Sequence, residues 1–448
     1  MRLLPPLEAV AYAAAAALSV CLLFGSCADP ASTSVAFEPP ALLERSEGIR
    51  HGTEWDRVQN MYGTAAAALR ANPDDVQAHL DLARLSIFEA RVSGEHGHYY
   101  PAAADLLNRA LAFPDLTPDQ RYQALTMLAS VQLSQHEFAE ALRTSQRATK
   151  LNPYSATGYG ALVDAHVELG QYEEAIAAAD QMVKVKPDLR SYSRVSYLRE
   201  LHGDIPGALE AMRLALDAGA PGTEENAWVR LTLGNLLHLH GRSAEARDQY
   251  GLALEERPGY PFALAALAEL DAAAGDFATA ERRLGEATEA IPEVGFYEQL
   301  AHIYRATGRA DLAEKTSREV LEMFADDVAH GHNMNLEYAD AHVHLTGDLD
   351  EALRYAELER DKRPRNTEVA RRLAGIHYLR GEYDDARDWL TEARRLGSVH
   401  PELDVVDGLL QVAAGQREAG LARIEATASQ TAPLAPAFAQ EVARLRDS

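Results

Sequence analysis

The chain of 448 residues has only two cysteines, Cys21 and Cys27. With both of them this close to the start, no disulfide framework can hold a body together, so stability must come from packing. Basic residues are scarce as well: 43 Lys and Arg face 68 Asp and Glu, a formal charge of −25. That field repels phosphate backbones, and nucleic-acid binding is not expected. Catalytic signatures are missing: there is no HExxH, no GxSxG, no GxxxxGK[ST] and no CxxC pair. Gly158-Tyr159-Gly160 opens a GxG pattern, but it lies in a helical stretch with no strand before it, which makes it a packing feature. A non-catalytic protein without a cofactor is therefore expected. What the chain does hold is 47% hydrophobic residues, enough to bury a large core.

The first residues have the layout of an export signal: Arg2, an apolar run from Ala9 to Phe24, then Gly25 and Ser26 before Cys27. Leu23-Phe24-Gly25-Ser26-Cys27 resembles a bacterial lipoprotein box, whose cysteine receives a diacylglyceryl group. The resemblance implies a signal peptide over 1–26, lipidation of Cys27 and a membrane tether in the bacterial cell envelope, facing the periplasm or the exterior. A simple cleaved signal or a retained anchor of about 20 residues are the alternatives. From 27 to 53 the prolines Pro30, Pro39 and Pro40 and a Ser/Thr/Ala mix without helical periodicity predict a flexible tether.

The rest of the chain repeats itself. Turn glycines fall at Gly170, Gly203, Gly241, Gly275, Gly308, Gly347, Gly381 and Gly415, at intervals of 33, 38, 34, 33, 39, 34 and 34. Five residues after each stands a small residue: Ala175, Ala208, Ala246, Ala280, Ala313, Ala352, Ala386 and Gly420. Two antiparallel helices that cross there would be forced apart by a larger side chain. Proline at Pro153, Pro187, Pro258, Pro292 and Pro364 ends the second helix of many units. Two earlier units are degenerate, with Ser134-Gln135-His136 or an enlarged Val92 to Tyr100 loop in place of the glycine turn. This pattern is similar to the tetratricopeptide repeat. The resemblance implies an all-α, right-handed superhelical solenoid of helix-turn-helix repeats over 54–430, about nine units, with a capping helix in 431–448. Each unit is expected to contact mainly its neighbours. Val163 to Gly170 and Arg190 to Glu200 further resemble a group of bacterial tetratricopeptide lipoproteins, which brings no agreed activity.

In that family the first helix of each unit lines the concave groove, with positions 2, 5, 9 and 12 toward a ligand. With the turn glycine as position 15, the groove would receive Asp164, then Arg190, Ser193, Tyr197 and Glu200. Trp228, Asn235 and His238 follow, then Glu269, then Glu298, His302 and Arg305, then Glu337 and His344, then Arg371 and Tyr378. This polar and aromatic strip suits a protein or peptide partner, whose backbone needs hydrogen bonds and whose side chains need flat apolar contacts. Arg190 and Arg194 are four residues apart and share a helix face. They would form a carboxylate site or an ion-pair network with local acids such as Glu200 and Asp204. His-x-His pairs at His96/His98 and His330/His332 fall in expected loops, where both imidazoles could turn to one divalent metal. They give the alternative reading, an accessory protein that binds metal.

Overall fold

The computed structural model describes residues 37–447, and all regular structure among these residues is helical. A single helix, α1 (Glu54–Ala71), precedes ten antiparallel pairs. In order these are α2 (Val76–Ser93) with α3 (His96–Ala112), α4 (Pro118–Ser134) with α5 (Phe138–Leu151), and α6 (Ala156–Glu168) with α7 (Tyr172–Val185). Next come α8 (Leu189–Leu201) with α9 (Ile205–Asp217), α10 (Glu224–Leu239) with α11 (Ser243–Glu256), and α12 (Pro261–Ala273) with α13 (Phe277–Ala290). The last four are α14 (Val294–Ala306) with α15 (Ala310–Ala329), α16 (Asn335–Ala341) with α17 (Leu349–Lys362), α18 (Thr367–Leu379) with α19 (Tyr383–Ala393), and α20 (Pro401–Ala413) with α21 (Arg417–Ala428). A final helix, α22 (Pro436–Asp447), closes the chain. The expected count of about nine is one short, because both degenerate early units fold as full pairs beside the eight with glycine turns.

Local chemistry sets these boundaries. Thr117 and Gln120 cap the start of α4 reciprocally, and Asp204, Asp276 and Asp348 each accept a backbone N–H at the start of a second helix. The crossing alanines Ala175, Ala208, Ala246, Ala280, Ala352 and Ala386 are fully buried, as the repeat requires. At the last crossing a Cβ on Gly420 would sit 2.3 Å from the carbonyl oxygen of Gly408, which is why glycine replaces alanine there. The eighth pair carries a local change: α16 runs into a π-helical turn, His342–Thr346. A π turn absorbs one extra residue without ending a helix. Its backbone is secured by Arg305, which donates to the carbonyls of His344 at 2.8 Å and Leu345 at 2.7 Å.

First helices of successive pairs touch one another, as α4 does α6, α6 does α8 and α18 does α20. Among the described residues no comparable contacts join successive second helices, so the first helices form the tighter inner layer of the curve. The curve closes on itself. The turn of each early pair packs against a loop about 195 residues later, one superhelical turn on. The Asn333 amide donates to the Gln135 carbonyl at 3.1 Å, and His136 Nδ1 lies 2.7 Å from the Asn333 carbonyl. Asn366 donates to the Glu168 carbonyl at 2.9 Å, and the Tyr172 hydroxyl accepts from the Thr367 amide at 3.0 Å. Arg395 donates to the Arg365 carbonyl at 2.5 Å while its guanidinium stacks 5.0 Å over the Tyr172 ring. Arg363, itself buried, pairs with buried Glu359 and with the partly exposed Glu168. Three of the turn glycines are close-packed for this reason: Cβ atoms at Gly170, Gly203 and Gly241 would lie 2.3, 2.4 and 2.2 Å from the carbonyl oxygens of Arg365, Gly397 and Gln430. The expectation that units contact mainly their neighbours is therefore corrected, because this superhelix is tight enough for its successive turns to touch.

The tether assignment also needs correction over its described part. Residues 38–52 are docked: Arg45 is 2% exposed and joins Glu89 and Glu54, Ile49 is buried, and the Ser46 hydroxyl donates to the Ala290 carbonyl at 2.7 Å. A guanidinium that finds two carboxylates in a dry pocket orders the chain around it. The signal peptide, Cys27 and residues 27–36 lie outside the described residues.

Candidate peptide-binding channel

The inner layer of first helices borders the candidate channel, and at one point the expected open groove gains walls from two superhelical turns. Two small cavities mark it. One, of about 160 Å3, lies between Tyr197, Glu200 and His240 on one turn and Glu368, Ser398 and His400 on the next. The other, of about 90 Å3, sits between Asp164, Glu168, Arg194 and Tyr197. Tyr197 borders both. It is 41% exposed, yet its hydroxyl is pushed well above its ordinary pKa by burial and by the carboxylates of Glu368 and Glu168. Its ring thus stays partly open to solvent while carboxylates of two superhelical turns face it.

Not every expected groove residue is free to meet a ligand. Arg194 is fastened to Asp164, at 2.6 and 2.8 Å, and to the Gly160 carbonyl at 3.1 Å. Arg190 pairs with Glu225 on α10. The suggested guanidinium cluster is thus spent on ion pairs between units, with Asp164 and Glu225 as partners where Glu200 and Asp204 were expected. Ser193 is buried and turns its hydroxyl back to the Arg190 carbonyl. Arg305 is committed to the π turn, as described above. His238 is buried with Nδ1 2.9 Å from the Ser243 hydroxyl and Nε2 3.6 Å from Glu269. The same link from the end of a first helix to the start of the second recurs at His166 with Gln171 and His377 with Glu382, both 2.7 Å, so it is a structural latch. Asn235 is exposed but accepts from the Tyr250 hydroxyl at 2.8 Å. Trp228, 45% exposed, and Tyr197 keep large aromatic surfaces open on neighbouring first helices.

The channel also holds carboxylates that, among the described residues, have no cation beside them. Burial, together with Glu368, raises the pKa of Glu200 to about 7. Burial and Asp327 do the same for Glu293, and burial with Asp340, Glu337 and Glu293 does so for Glu298. His302 is driven down to about 4 by burial and by His344 and Arg305. Elsewhere the acids are compensated: Arg372 bonds Asp340 at 2.6 Å, and Arg371 pairs with Glu368 at 2.6 Å and with Glu402. Glu293, Glu368 and Asp340 were not among the expected site residues. Glu368 meets Glu200 across a superhelical turn, a proximity with no sequence signal, whereas Glu293 and Asp340 adjoin Glu298 from its own pair and the next.

His96 and His98 stand in the first turn of α3 and not in the expected loop, and neither expected histidine pair forms a metal site. His98 Nε2 bonds the Ala41 carbonyl at 2.8 Å while His96 lies against Tyr100. His330 Nδ1 turns to the Asp326 carbonyl at 2.8 Å and His332 Nδ1 to that of Asp327 at 3.2 Å. The rings of each pair turn to different partners, His98 to a carbonyl 57 residues away, so neither pair converges. Among the described residues three metal-type ligand atoms converge at His377, Glu382 and Asp385, and there the His377–Glu382 contact is the latch already described.

Family profiles described as tetratricopeptide repeat match residues 132–200, 294–327 and 346–401. Over 212 residues the chain is 27% identical to cellulose synthase operon protein C of Pseudomonas fluorescens (strain SBW25). That match covers 45% of this chain and only 16% of the relative's length. Among solved structures, a thermophilic TPR protein of Thermus thermophilus is 26% identical, with a TM-score of 0.35 over 41% of this chain and 92% of that one. The human IFIT1 dimer with PPP-AAAA is 14% identical, with a TM-score of 0.46 over 77% of each chain.

Proposed function

The chain is a tetratricopeptide-repeat protein, a scaffold fold able to bind other proteins, and from that premise we propose that its inner channel takes up an extended protein segment. The observation that carries this reading is the pair Tyr197 and Trp228, large aromatic surfaces left open on adjacent first helices of the inner layer. Aromatic side chains of this kind anchor most protein interfaces. Glu200 beside Tyr197, and Glu293 and Glu298 at α14 further along, lack a cationic partner among the described residues, which favours a segment that brings Lys or Arg. We place the scaffold in the bacterial cell envelope, anchored through a lipid on Cys27, on the strength of the sequence from Ala9 to Cys27.

Two experiments test this. In pull-downs against a partner found with the wild type, Tyr197→Ala and Trp228→Ala should each lose at least about 1 kcal/mol of affinity with the helical signal intact. Lys184→Ala, on the outer helix α7, should recover the partner as the wild type does; equal recovery by all three moves the binding surface elsewhere. Labelled palmitate should enter the wild type and be lost in Cys27→Ser, and equal labelling would remove the lipid anchor.

A further inference from the structure

The C-terminal helix touches the last pair, through Arg446 and Glu425 on α21, but its apolar side lies on the inner face. Position 9 of a first helix faces the channel, and most units carry a side chain there: Asp164, Tyr197, Asn235, Glu269, His302 and Leu409. In α18 that position is Gly375. A Cβ placed on it would have three nearest neighbours, all atoms of the Phe438 ring, with Cζ at 2.7 Å. The missing side chain is thus a notch filled by the ring of Phe438, which is 3% exposed.

The rest of α22 fits the same surface. Its buried positions, Phe438 and Val442, are four apart, partly buried Leu445 extends the stripe, and Leu434, just before the helix, packs against the same cluster. This is the anchor spacing of an amphipathic helix laid into a groove. Polar contacts fix its register: the Tyr378 hydroxyl donates to Glu441 at 3.2 Å, and the Ala437 amide donates to His344 Nδ1 at 3.5 Å. Burial lowers the pKa of His344 and so keeps its ring neutral and able to accept. Tyr378 and His344 are themselves channel positions. Where central units present polar groups inward, α20 presents Val405 and Leu409, both buried, so the inner face becomes apolar at this end.

We propose that the inner face of the last three helix pairs is a docking site for an amphipathic helix that bears a phenylalanine, with an acid three residues on and an aliphatic residue four on. In this structure α22 fills the site in cis, as a stand-in that a partner helix of the same pattern displaces. The proposal rests on the reading of the inner face as a binding surface but concerns a different stretch of it.

The probe is a labelled peptide of residues 431–448, offered to the full chain and to a chain ending at residue 430. The truncated chain should bind it saturably and the full chain at least about 10-fold more weakly, since α22 competes. Peptide carrying Phe438→Ala should bind the truncated chain at least about 10-fold more weakly, and Gly375→Leu in the truncated chain should abolish binding while keeping the helical signal. If truncation prevents folding, full-length Phe438→Ala replaces it and should take up the wild-type peptide. Equal affinity of full and shortened chains, or indifference to Phe438 in the peptide, overturns the proposal. Peptide binding alongside unimpaired partner recovery by Tyr197→Ala and Trp228→Ala would keep this site and remove the central-channel reading. Loss of partner in those variants without peptide binding would do the reverse.

Discussion

Replacing Gly170 by alanine separates the contact between superhelical turns from everything else a turn glycine does. Gly170 has φ of 70° and Gly275 has φ of 81°, so alanine at either must adopt a left-handed backbone, at about 1–2 kcal/mol. The two sites then differ in one respect. A Cβ at Gly275 meets nothing within 4 Å, whereas at Gly170 it would lie 2.3 Å from the Arg365 carbonyl, which is backbone and cannot swing aside. Separating the turns there adds an overpacking cost of about 1–3 kcal/mol and disturbs the Tyr172–Thr367 and Arg395–Arg365 hydrogen bonds nearby. Gly170→Ala should therefore cost about 2–5 kcal/mol in urea denaturation, and Gly275→Ala only about 1–2. X-ray scattering in solution should show a larger radius of gyration for Gly170→Ala alone. Equal destabilisation with unchanged dimensions in both would refute the closure of the superhelix.

Arg363→Ala leaves buried Glu359 and partly exposed Glu168 without their cation, and should cost up to about 3–5 kcal/mol by chemical denaturation. Arg305→Ala strips the donors from two carbonyls of the π turn; a loss of about 1–3 kcal/mol in thermal denaturation is expected, with Arg305→Lys in between. Glu298 has its pKa raised to about 7 from 4.5, so its folded form holds a proton that the unfolded chain releases, and stability falls as pH rises from about 4.5 to 7. Glu298→Gln should accordingly be more stable than the wild type at pH 8, by roughly 1–3 kcal/mol, with the gain vanishing below pH 4.5 in melting curves. Ala280→Leu should overpack the crossing of α12 and α13 at a cost of about 1–3 kcal/mol, read the same way.

The periodic features were legible from the sequence because they answer to local rules. Glycine spacing marks the turns, Ala175 and its equivalents mark the crossings, and Thr117 with Gln120 marks a helix start. What depends on the superhelix as a whole was not legible. Nothing in Glu168 or Arg363 announces that residues 195 apart will form one ion pair, and that pairing turns an open groove into a channel. The position rule placed Tyr197, Glu200 and Trp228 on the inner layer, where they are accessible. It could not tell them from Arg194 and Arg305, whose side chains reach structural partners first. Gly375 was readable as an anomaly, a glycine at a channel position, but its meaning depends on the distant Phe438. The described part of the expected tether failed for a related reason: a stretch rich in proline reads as flexible until Arg45 finds Glu89 and Glu54.

Closure of the superhelix underlies the channel, and a single distance tests it. Spin labels on cysteines introduced at Glu137 and His330, in a background with Cys21 and Cys27 changed to serine, would flank the contact between His136 and Asn333. Each label site lies within three residues of that contact, about 10 Å of chain at most, so a narrow distribution below about 30 Å is predicted. A solenoid whose units meet only their neighbours would set the same sites about five helix pairs apart, at least about 40 Å for helices packed 8–10 Å from one another, and a distribution centred there would contradict the account.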